Sequence, residues 1–125
     1  MNTSRAATAY RRHAAQTASK TQLVVMLTSR MASDIAQAIT AITDRAPADA
    51  HRHLVHAQDI IDELDNALDS DMCPAGADLR SLYNYVREQL VEANVGKDTT
   101  AATNAHQIAV QIADMFRAAA TEQAA

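Results

Sequence analysis

His53, His56 and Asp59 recur at three-residue steps, which lines them along one side of a helix. Imidazoles and a carboxylate on one face are metal-ligating groups. Di-iron bundles, however, take Glu-x-x-His pairs from two helices, and no glutamate here is followed by histidine three residues later. The five histidines are therefore read as exposed or partly buried neutral side chains, with no metal expected. Cys73 lies beside Pro74 without a CxxC partner or a neighbouring histidine, a poor setting for a catalytic thiol. Neither a glycine-rich phosphate loop nor a G-x-S-x-G elbow occurs. No catalytic residue and no cofactor is expected, and the chain is read as not an enzyme.

The elements that carry these residues are helices. A chain of 125 residues with only two glycines and two prolines can bury one core and favours helix nearly throughout. A net charge of −4 and a pI near 5.6 argue against nucleic acid as a partner, since phosphate binding wants a basic face. The longest apolar run, Leu23–Leu27, is too short to insert into a membrane. The lone cysteine suits a reducing compartment. A soluble, intracellular protein is expected.

Along the chain, residues 1–17 hold Arg5, Arg11, Arg12 and His13 around the single aromatic Tyr10, and are expected to form a flexible N-terminal arm. Residues 18–122 form the rest of a single domain over 1–125. Ser19-Lys-Thr-Gln22 has the form of a capping box, and Leu23, Leu27, Met31, Ile35, Ala38 and Ile42 follow as a stripe. This predicts a first helix over about 20–44, ended by Arg45-Ala-Pro47. A second, over about 48–69, carries Leu54, Ala57, Ile61, Leu64 and Leu68 at bundle-seam spacing. Its acidic side (Asp59, Asp62, Glu63, Asp65) is read as a solvated face. After a Pro/Gly connector at 70–77, a third helix over about 78–93 places Leu79, Tyr83, Val86, Leu90 and Ala93 on one face. Asn94 and Gly96 are read as its stop, and Asp98 or Thr99 as the cap of the fourth helix, over about 99–121. That helix repeats Ala105, Ile108, Ile112, Met115 and Ala119. The fold class is all-α, an antiparallel up-down-up-down four-helix bundle.

Val55, Ile60, Tyr85, Val91 and Phe116 fall off these seams. Apolar residues that the internal core need not use suit a groove for a partner's amphipathic helix. The same region carries His56-Ala-Gln-Asp-Ile-Ile-Asp-Glu-Leu64, then Leu79-x-x-Leu82-Tyr83-x-Tyr85 and Leu90-x-x-Ala93-Asn94. Tyr10, Thr17-Ala-Ser19 and Leu23-Val-Val-Met-Leu27 precede them in order. In these blocks the sequence resembles FliS, the flagellin export chaperone family. The resemblance implies a cytosolic four-helix bundle that binds the disordered C-terminal segment of flagellin, in a 1:1 complex. It further implies that the bundle prevents premature polymerisation and presents the client to the export gate of the flagellar type III apparatus. Departures are Thr28-Ser29-Arg30 where Tyr-Asp-Gly is common, Lys20 in place of a proline, and Ala119 in place of a tryptophan. A regulatory adaptor using the same groove for a non-flagellin protein is the alternative.

Surplus and resemblance together place the expected client groove on the second and third helices, with help from the fourth. Ile60 and Tyr85 are its anchors, flanked by Val55, Ile61, Leu64, Tyr83, Val91 and Ala93. Asn94 is offered chiefly as a helix stop and secondarily as an amide for the client backbone. The family's similarly placed tyrosine makes Tyr10 a candidate for covering the groove when it is empty.

Overall fold

Sparse glycine and proline leave long stretches in which each backbone amide can close its intrahelical bond, and a computed structural model of the protein shows four helices. It describes residues 2–71 and 76–124, without the side chains at 2–4, 10, 13–19, 69–71, 76–77 and 123–124. Helix α1 spans Asn2–Thr43, α2 Pro47–Asp71, α3 Gly76–Gly96 and α4 Thr99–Ala124. Cys73 and the middle of the expected connector, residues 72–75, lie outside the described residues.

Each helix packs on two neighbours in a ring: α1 on α2 and α4, and α3 on α2 and α4. The short joints after α1 and α3 reverse the chain, giving the expected antiparallel order. Met31, Ile35 and Ala38 of α1, Leu54, Ile60, Ile61 and Leu64 of α2, and Tyr83, Val86 and Leu90 of α3 fill the centre. From α4 the contribution is mostly alanine (Ala101, Ala102, Ala105, Ala109) with Ile112. Small side chains of this kind let helix axes approach closely.

Two helix ends follow one device. Ala46 N–H donates to Ala41 O (2.8 Å) and Arg45 N–H to Ile42 O (3.1 Å), while Arg45 takes φ 57°. This is the Schellman pattern, in which a left-handed residue turns the chain back onto orphan carbonyls. At the end of α3, Asp98 N–H donates to Ala93 O (3.1 Å), with Lys97 at φ 48°. The expected stop at Asn94 and Gly96 is therefore displaced: α3 runs through both, and Lys97 makes the turn. Asp98 caps α4 as expected, its Oδ1 accepting from Thr100 N–H at 2.9 Å.

A second difference lies at the start. α1 runs without a break from Asn2, so Ser19–Gln22 sits inside a helix instead of opening one. The alanine-rich stretch before it has helix-forming residues and no breaker, and an internal box has no orphan amides to cap. Arg5–Ala9, Arg11 and Arg12 are exposed.

Candidate functional site

Asp34 is an acidic residue one position short of Ile35 on the buried stripe of α1, and its carboxylate is almost wholly buried. Burial of a charged group requires partners, and α2 supplies them. His56 Nδ1 donates to Asp34 Oδ2, His53 Nδ1 lies 3.5 Å from Oδ1, and Arg30 Nε is 3.7 Å away on α1 itself. A carboxylate offers no hydrogen, so the hydrogen-bonded histidine carries its proton on Nδ1. Both imidazoles of the His53, His56 and Asp59 row thus present Nδ1 to Asp34 on α1. No group of three or more His, Cys, Asp or Glu among the described residues is arranged to hold a metal.

These polar groups line a cleft of about 460 Å³ between α1 and α2, together with Gln37, Arg52, Val55 and Asp59. It continues into a second groove of about 400 Å³, sharing Arg30, His56 and Asp59, whose other walls are Leu23, Met26, Leu27, Ile60 and Glu63. The second is the more apolar. Leu23 is 53% and Met26 67% exposed, although the repeat in α1 puts Leu23 on the expected core stripe. With Asp34 opposite His56, α2 reaches about as far as the level of Lys20 at 1.5 Å per residue. Leu23 and Met26 therefore lie alongside it, and their exposure is that of an open groove, not of a helix beyond its cover.

The ten residues expected to form one client groove divide among several places. Ile61, Leu64, Tyr83 and Ala93 are core and present no surface in this form. Ile60, expected off the seam, is 4% exposed; a bundle helix buries a stripe wide enough to absorb it. It still forms part of the groove wall. Val55 is half-buried and lines the polar cleft. Tyr85 and Val91 are exposed, at 39% and 46%, but on opposite flanks of α3. Tyr85 lies one turn before Gln89, which accepts from Asn104 of α4 (3.2 Å). Val91 lies one turn after Arg87, which reaches Asp62 of α2 (3.1 Å). Asn94 is already engaged, donating Nδ2 to His51 Nδ1 (2.9 Å) and accepting Lys97 Nζ (2.6 Å). The side chain of Tyr10 lies outside the described residues. Phe116, the remaining off-seam residue, packs against the core, while Met115, expected in the seam, is 47% exposed.

Leu23 stands at core-stripe spacing and Met26 beside that stripe, and spacing alone carries no sign that both are exposed. Asp34 had a fainter signal, a charge beside Ile35 with two histidines one turn apart on the next helix.

The flagellar protein FliS family matches residues 2–123, nearly the whole chain. The flagellar secretion chaperone FliS of Bacillus subtilis (strain 168) is 32% identical over 92 residues, which cover 74% of this chain and 68% of that protein. With the four-helix ring and the uncovered α1–α2 groove in place, these similarities establish that the chain belongs to the FliS family.

Proposed function

We propose that this flagellar export chaperone, a member of a chaperone family and not an enzyme, binds the C-terminal segment of flagellin. The complex is 1:1 and cytosolic; it keeps the client from polymerising and delivers it to the flagellar type III export gate. The observation that carries this reading is the apolar surface left open at the α1–α2 groove, where Leu23 and Met26 stand exposed beside Ile60. A folded protein has no internal use for large exposed side chains grouped in a concave site, whereas an amphipathic helix does. A client that is disordered when free suits such a surface, since its ordering cost moderates a large apolar gain. Tyr85, Val91 and Met115 lie on other faces and supply secondary contacts for a segment long enough to reach them. Among the described residues no helix is long and apolar enough to cross a membrane.

Titration calorimetry of the full chain with a peptide of flagellin's C-terminal segment tests this. Saturable 1:1 binding that weakens about tenfold in a Leu23→Ala/Met26→Ala variant is expected. Absence of binding by the unaltered, folded protein overturns the reading.

A further inference from the structure

Asp59 and Glu63 stand one turn apart on α2, on the edge of the groove floored by Leu23, Met26, Leu27 and Ile60. Both are exposed, and neither has a salt bridge or side-chain hydrogen bond with any described residue. Their neighbours on the same helix are different: Asp62 and Asp65 are held by Arg87 at 3.0 and 3.2 Å, and Asp49 by Arg52 at 3.4 Å. The groove's basic side chains are drawn to another carboxylate: Arg30 Nε lies 3.7 Å from Asp34, and His56 Nδ1 hydrogen-bonds it. Among the described residues, an apolar floor therefore carries two carboxylates on a single edge with no cation paired to either.

We infer that this groove selects an amphipathic helix from a partner protein that carries lysine or arginine one turn apart beside its apolar stripe. The inference rests on the proposed use of this groove for a client and adds the chemistry that the client must present. Docking an apolar stripe on Leu23, Met26 and Ile60 brings the flank of the incoming helix alongside Asp59 and Glu63. Those two side chains share a face, so cations at i and i+4 on the partner meet both at once. A partner with acidic residues there meets like charge and is rejected, which supplies specificity that an apolar floor alone lacks. Rim pairs of this kind remain hydrated, so the discrimination is modest and falls with salt.

The test uses two synthetic helical peptides with the same leucine stripe, one with lysine and the other with glutamate at the flanking i and i+4 positions. Binding to the full chain is read by fluorescence anisotropy at low and at high salt. The lysine peptide is expected to bind about fivefold more tightly at low salt, with the gap closing at high salt. Asp59→Asn/Glu63→Gln should abolish the preference, and Glu88→Gln/Glu92→Gln, which removes the same charge from α3, should leave it intact. Equal binding of the two peptides overturns the inference, as does a preference lost equally in both double variants, since that reports net charge and not this edge. Flagellin's peptide is measured in parallel. Its failure to bind while the lysine peptide retains its Asp59/Glu63-dependent preference removes flagellin as the client and leaves the groove's selectivity standing.

Discussion

The buried carboxylate of Asp34 on α1 accepts the Nδ1 hydrogen of His56 on α2, a polar fastening beside an otherwise apolar seam. Asp34→Ala should destabilise the bundle by about 1–3 kcal/mol, because it removes the shared partner of two imidazoles without filling the space. His56→Ala should cost at least as much, because it leaves the buried carboxylate of Asp34 without its close hydrogen-bond donor. Urea unfolding of both variants ranks the two losses; a clearly smaller loss for His56→Ala contradicts this account.

Arg45 adopts a left-handed conformation at φ 57° with an exposed side chain. A Cβ costs roughly 1–2 kcal/mol there, against a smaller entropic penalty for glycine. Arg45→Gly should therefore raise stability by about 0.5–1 kcal/mol, whereas Arg45→Val should lower it. Lys97→Gly should gain less, because Lys97 Nζ also donates to Asn94 O (2.7 Å) and Oδ1 (2.6 Å). Thermal midpoints of the three variants decide the order.

Met26→Ser should leave the unfolding midpoint nearly unchanged, since the side chain is 67% exposed, while weakening the flagellin peptide by about tenfold. Ile60→Ala should behave otherwise. Its side chain belongs to the core, so truncation should cost about 2–4 kcal/mol in stability as well as altering the groove. Paired calorimetry and denaturation separate a surface anchor from a core residue that also lines the wall.

Burial, with a smaller contribution from the charge of Asp65, pushes the Tyr83 hydroxyl up to about 12 from 10.0. A raised folded-state value means that the phenol stabilises the fold fully below pH 10 and loses that stabilisation as pH climbs through about 12. Tyr83→Phe should flatten this part of the alkaline decline. Urea midpoints of the two proteins between pH 9 and 12 read the difference, and parallel curves would contradict it.

Deleting residues 1–17 should leave the bundle folded, since the described core residues run from Val24 onward, and should change the affinity or on-rate for the flagellin peptide if Tyr10 competes for the groove. Circular dichroism and stopped-flow binding of the shortened chain check both halves. Identical kinetics remove the arm from the binding reaction.

Much of the fold was legible because its signals are local. Pro47 opens α2, Asp98 caps α4, and the apolar spacing gives the inward faces of α2 and α3 within a turn. The left-handed turns at Arg45 and Lys97 were not, since neither residue type announces that conformation. The groove was least legible. Spacing places Leu23 in a stripe and Ile60 outside one, yet exposure depends on how the neighbouring helices pack around each position. Asp34 likewise has meaning only once His53 and His56 lie across from it. Contacts of that kind belong to the pairing of helices, which no single segment encodes.

The alanine face of α4 makes tolerance to substitution lopsided around the ring. On α2, Leu54, Ile61 and Leu64 fail by shrinking, since each lost methylene leaves a void. On α4, Ala102, Ala105 and Ala109 have almost nothing to lose and fail by growing: a leucine at any of them has to wedge the neighbouring helices apart, at a typical cost of about 1–3 kcal/mol. Random mutation will therefore damage the two helices through opposite changes in volume, and descendants of this sequence should drift among large apolar residues on α2 while remaining pinned to the smallest side chains on α4.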